Sequence, residues 1–171
     1  MSNHIRNYSE KANCYAYSMN SDGNVVPGGG NAGRIKKETE EKYVERLKEG
    51  VEGDGGTPVE GNTANVPNPS PNTYLTALFV NHNSTGFHFI RRDKDGSWSW
   101  KWGSGDKFAW TKVGIHRKIL GWKWKEIKDA DIKNLEIKYA TAMGWNAGWE
   151  FKCFFEIPDG GCDVTEHAVN L

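Results

Sequence analysis

Within "IKKETEEKYVERLKEGVEG" the apolar residues Tyr43, Val44, Leu47 and Val51 recur at helical spacing. This predicts an amphipathic helix ending near Gly50, with Glu38 and Lys42 paired four apart on its wet face. After residue 73 the period changes. "TYLTALFVNHN" is a short apolar run of strand formers, and "GFHFIRRDKDGSWSWKWG" has two alternating segments around Asp-Lys-Asp-Gly, a hairpin signal. "WEFKCFFEIP" alternates in turn, so a regular strand would put Trp149, Phe151, Cys153, Phe155 and Ile157 on one face and Glu150, Lys152 and Glu156 on the other.

The intervening segments carry turn chemistry. Residues 21–33, "SDGNVVPGGGNAG", end any element that holds Cys14, which therefore sits on a short helix or turn. Residues 52–73, rich in Gly, Pro and Asn, predict a long mobile loop, and "KDADIKNLEIKY" a helical turn capped by Asp129. Helices first and an antiparallel sheet after predict an α+β fold, one domain over residues 1–171.

Composition narrows the function classes. Lys and Arg total 22 and Asp and Glu 22, so no net field draws the protein to nucleic acid or to an anionic membrane, and partners must be recognised locally. An odd count of three scattered cysteines argues against a disulfide framework and for a reducing, cytoplasmic setting. No run approaches a membrane span of about 20 apolar residues, and the N-terminus lacks a signal-peptide core. Eight tryptophans, six of them between Trp98 and Trp124, mark that region as special.

Three pieces, "NCYAYS" with "VPGGG", "FHFIRRDKDGSWSWKWG" and "FKCFFEIP", resemble in order and spacing an uncharacterised group of microbial proteins. Its members carry Asn-Cys-Tyr-x-Tyr-Ala, then a Pro-Gly turn, then Phe-His-Trp-Tyr-Arg-x-Asp-x-Asp-Gly-x-Trp-Ser-His-Lys-x-Gly and Phe-Cys-Gly-Tyr-Phe-Cys-x-Pro. The resemblance spans roughly residues 13 to 158. An early Cys followed by a sheet opening with His is similar in layout to papain-like and NlpC/P60-like cysteine hydrolases. That likeness implies a papain-like fold, N-terminal helices packed on the antiparallel sheet, and a cysteine hydrolase or acyltransferase acting on a peptide or amide bond. Cys14 would be the nucleophile, activated at a helix N-terminus, and His88 the general base. Asn13 or its neighbours would offer an N–H to the oxyanion.

The third catalytic residue stays open. If Gly96 takes the left-handed bulge position of the hairpin, Asp93 flanks Ser97 and His88 pairs with Trp102, so His88, Ile90, Arg92, Trp98, Trp100 and Trp102 share a face. The group's second histidine then falls at Trp100, and an indole cannot accept the imidazole proton. Asp93 lies about 16 Å along the strand from His88 and is no substitute, so Asp106 is left as a candidate. A four-residue loop would instead pair His88 with Lys101 and bring Ser99 diagonally near it.

A lone early Cys is most often a small buried hydrophobe, and a His between two phenylalanines is usually a satisfied, half-buried residue. The rival reading is accordingly an inactive papain-like scaffold that binds a peptide or protein, with Trp98, Trp100 and the rest of the Trp-rich hairpin as its contact surface. Cys153, Cys162 and His167 lack a fourth ligand for zinc, and the glycine-rich turn lacks a phosphate loop's Gly-Lys-Ser/Thr ending, so no metal or other cofactor is implied. Cations interleaved with tryptophans at Arg91, Arg92, Lys94 and Lys101 could clamp a single strand of nucleic acid, but zero net charge and the usual burial of Trp on a sheet face speak against it.

Overall fold

The computed structural model describes residues 12–81, 86–94, 96–100, 111–112, 115–116, 123–124 and 148–164. It is an α+β fold in which two helices lie against an antiparallel sheet. Helix α1 (Cys14–Ser18) begins because Asn13 holds extended backbone while its side-chain oxygen accepts the Ala16 N–H at 2.9 Å. It stops within two turns, at Asn20, whose φ of 55° leaves the right-handed helical region.

Helix α2 (Glu40–Gly53) is capped in the same way by Thr39, with Glu40 and Glu41 favourably placed in its first turn. Tyr43, Leu47 and Val51 are its buried stripe, as the spacing predicts, and the helix runs three residues past Gly50. The expected Glu38–Lys42 pair does not form, because the helix starts after Glu38. That carboxylate instead grips the Arg46 guanidinium with both oxygens, each at 2.9 Å.

The strands are β1 (Thr57–Val59), β2 (Thr73–Asn81), β3 (Phe87–Arg92), β4 (Trp98–Trp100), β5 (Thr111–Lys112), β6 (Ile115–His116), β7 (Lys123–Trp124) and β8 (Trp149–Pro158). Six of them form one sheet in the order β1-β8-β2-β3-β4-β5, and β6 pairs with β7 separately. Strand β2 lies between β8 and β3 with both faces covered, which explains its continuous apolar run. Residues 57–59, expected to belong to a long loop, form the edge strand β1 on β8; Pro58 is tolerated there because an edge position need not donate to a further strand.

The face assignment of β8 also changes. Leu78 pairs with Cys153 but Phe79 pairs with Phe151, so Lys152 is the extra residue of a bulge and every side chain before it is switched to the other face. Cys153, Phe155 and Ile157 pack under the helices with Tyr15, Met19, Tyr43, Leu47, Leu78 and Phe89. Trp149, Phe151 and Phe154 pack on the opposite side with Leu75, Phe79, Ile90 and Trp98. The bulged Lys152 reaches Glu40 at 2.6 Å and Glu150 at 2.9 Å, tying β8 to the start of α2. The helical turn expected at Asp129 lies outside the described residues.

The Pro-Gly turn owes its residues to a close backbone approach. Gly28, at φ +67°, lies so near α2 that a Cβ on it would meet Gly50 Cα at 2.8 Å, and a Cβ on Gly50 would meet the Pro27 carbonyl at 2.5 Å. Ala normally stabilises a helix interior over Gly by about 1 kcal/mol, yet Gly50→Ala is expected to destabilise by about 1–3 kcal/mol because the overlap is with rigid backbone. Urea denaturation measures this, and a stabilised Gly50→Ala variant would refute the contact.

Candidate functional site

Strand β3 holds α1 at both ends. At the far end, the Arg91 guanidinium lies over the Tyr17 ring, 4.3 Å from its centroid, and Nη1 reaches the Tyr17 carbonyl at 3.4 Å. Its Nε donates to Asp93 Oδ1 at 3.0 Å and its Nη2 to the Tyr17 hydroxyl at 3.1 Å. Ser99 Oγ donates to Asp93 Oδ2 at 2.7 Å, and the Tyr17 and Ser99 hydroxyls are 2.6 Å apart. Ser99 has a single proton, spent on Asp93, so the direction of the last bond follows: Tyr17 donates to Ser99 and accepts from Arg91. The four side chains form a closed ring joining α1, β3 and β4.

The ring depends on the hairpin register. Arg91 pairs with Ser99 and Arg92 with Trp98, Asp93 N–H donates to the Ser97 carbonyl at 2.7 Å, and Gly96 has φ +81°. This is the bulged turn read from Asp-Lys-Asp-Gly; Trp102, the expected partner of His88, lies outside the described residues. The four-residue loop is ruled out, and Ser99 lies on the helix side of the sheet with Arg91, not beside His88.

At the near end, Cys14 is the first residue of α1 and is 8 % exposed. Burial pushes its thiol up to about 11; against that, the backbone N–H groups of Phe89, Tyr15 and Cys14 itself act on the sulfur and favour the thiolate. The Phe89 contact puts the sulfur at the backbone of β3, one residue from His88.

The His88 side chain points elsewhere. It is cross-strand partner to Phe79 and meets the edge of Trp149 with ring centroids 6.0 Å apart, both on the side of the sheet away from the helices. Tyr15 meets the neighbouring Phe89 on the helix side at 4.8 Å. No hydrogen bond joins Cys14 to His88, so the structure brings the thiol to the backbone of this strand but not to the imidazole. The expectation that the two side chains exchange a proton as placed is corrected, because alternation along β3 turns residues 88 and 89 to opposite faces. Burial pushes the imidazole down to about 3, leaving it neutral near pH 7.

Two other expected site residues have structural duties. The Asn13 N–H donates to the Gly23 carbonyl at 3.0 Å, and the side chain, besides capping α1, donates to Asn24 Oδ1 at 3.0 Å and the Val25 carbonyl at 2.6 Å. Its N–H is thus committed and not open to an oxyanion. Trp98 is wholly buried against Phe154 and Ile90, a core residue and not a contact surface. Trp100 pairs with Thr111, its side chain lying outside the described residues, as does Asp106.

Sequence reasoning missed Asp54. As the C-cap of α2 it accepts the Tyr15 hydroxyl at 2.7 Å and the Gly28 N–H at 2.8 Å on one oxygen, joining the "NCY" segment to the Pro-Gly turn. Cys153, packed under the helices, is pushed up to about 12 by burial, and Cys162 is raised for the same reason. Among the described residues no cluster of metal-ligating side chains occurs and no helix is long and apolar enough to cross a membrane. Compared with family models, curated proteins and solved structures, the chain matches none.

The imidazole makes a prediction about acid. With a folded pKa near 3 against about 6.5 unfolded, the unfolded chain binds the extra proton between those values. Its contribution to stability is therefore fully present above about pH 6.5 and is lost as pH falls toward 3, by at most about 1.4 kcal/mol per unit. Urea midpoints measured from pH 7 to pH 4 should fall less steeply for His88→Gln than for the parent, and equal slopes would contradict a neutral, buried imidazole.

Proposed function

We propose that the protein is a papain-like cysteine hydrolase or acyltransferase acting on peptide or amide bonds, with Cys14 as nucleophile and His88 as base, held here in a closed arrangement. The observation that carries this reading is the seat of Cys14: it opens α1, and its sulfur lies near the Phe89 backbone N–H of β3, one residue from a histidine, which favours the thiolate. In the reaction the thiol proton passes to the imidazole, the sulfur attacks the carbonyl carbon, the leaving amine takes the proton, and water or another nucleophile releases the acyl group.

The arrangement sets a condition on that chemistry. A thiol near 11 and an imidazole near 3 do not form an ion pair at neutral pH, so the neutral imidazole must accept the proton as the sulfur attacks. Residues 88 and 89 face opposite sides of β3, so the base reaches the thiol only if β3 rearranges locally at residue 88, and substrate binding would have to supply the driving force.

One observation favours the rival reading of an inactive scaffold: His88 leaves β3 on the Trp149 side, away from α1 and Cys14. A library of fluorescent peptidyl acyloxymethyl ketones separates the two. On the hydrolase reading the probes label Cys14 and no other cysteine, and His88→Ala reduces labelling by about 10²-fold or more, the lower end of a general base's contribution. Labelling of Cys162 in preference to Cys14, or labelling indifferent to His88, would sink the catalytic reading and leave the scaffold.

A further inference from the structure

We infer that the Arg91–Tyr17–Ser99–Asp93 ring is the positioning device of the Cys14 site, a clamp that sets where the thiol sits along β3 and keeps it closed. Helix α1 has only five residues, too short to keep its conformation without tertiary contacts. Its N-terminal end is seated by the Asn13 cap and the Phe89 N–H, its C-terminal end by Arg91 and the Tyr17 hydroxyl. Phe89 and Arg91 are two apart on one strand and point to the same face, so a shift of Tyr17 off Arg91 carries Cys14 with it along or away from β3.

The ring is built for this duty. Arg91 is 5 % exposed and Ser99 3 %, so each partner lost leaves another polar group buried. The Tyr17 hydroxyl reaches Asp93 on two sides, through Ser99 and through Arg91, so losing it opens the circuit at both. The groups that act on the thiol are backbone N–H groups of residues 14, 15 and 89, so an effect of the ring on Cys14 runs through the placement of α1.

The inference rests on Cys14 as the reactive group but its test needs no turnover. Iodoacetamide alkylation of the native full chain, quantified cysteine by cysteine by mass spectrometry, reads local opening of α1 at Cys14 and wider unfolding at Cys153, which is packed under α2. Tyr17→Phe deletes one hydroxyl and keeps the ring that faces Arg91; Ser99→Ala breaks the same circuit from β4. Both should raise the Cys14 rate about tenfold while Cys153 stays within about twofold, the signature of a local opening. A parallel rise at Cys153 would mean that the ring merely stabilises the fold, and an unchanged Cys14 rate would mean that it does not position the thiol; either overturns the inference. Loss of ketone labelling in the parent protein with the alkylation ratio still shifted would defeat the hydrolase reading alone.

Discussion

The positive charge of Arg91, almost wholly withdrawn from water, must be matched on every side, and the matching draws three elements together. An isolated buried guanidinium would cost several kcal/mol, so its hydrogen bonds are obligatory ones. They run to a carboxylate just past the end of its own strand, to a carbonyl and a hydroxyl on α1, and through that hydroxyl to β4. The rings of Tyr17 and Tyr74 cover its faces at 4.3 and 6.0 Å. A one-residue slip in the hairpin would send Ser99 to the other side of the sheet and take away the bonds it makes with Asp93 and Tyr17. The charge thus selects the register as strongly as the turn does.

The same economy governs the cysteine. A thiol in a dry pocket loses hydration that a thiolate needs, and this outweighs three backbone N–H groups that favour the anion, so the net shift is upward. Moving α1 into contact with water would remove the opposing effect and, wherever the donors follow, leave the favourable one. Activation of such a site is therefore a question of access and not of new charged partners. The imidazole behaves alike: desolvation by burial lowers it.

Much of the architecture was legible because it is local. The α2 stripe, the short helix at Cys14 and the bulged hairpin each follow from spacing and turn residues within about a dozen positions. What was not legible depends on partners far away in sequence. Nothing in "WEFKCFFEIP" marks Lys152 as an inserted residue; the bulge exists because β2 must present Leu78 and Phe79 to two different cores. Residues 57–59 become a strand only because β8 offers a free edge, and Glu38 finds Arg46 only because Thr39 takes the cap. The hairpin register carried an inference that was sound, with His88 sharing a face with Ile90 and Trp98. Which of the two faces the helices would cover is a tertiary fact, and that choice parted His88 from Cys14.

The positions that carry the resemblance divide in the same way. Asn13 caps, Tyr15 reaches Asp54, Tyr17, Arg91, Asp93 and Ser99 close a ring, Gly96 turns the hairpin and Trp98 fills a core. Had these letters all served chemistry they would converge on one pocket, but they fall on both sides of β3 and what they share is the junction of α1 with the hairpin. The group of β3 that acts on the sulfur is a backbone N–H, which any residue but proline supplies, so no letter of the sequence announces it. A motif at such a junction specifies the mounting of the cysteine, and the donor that faces it comes with the strand.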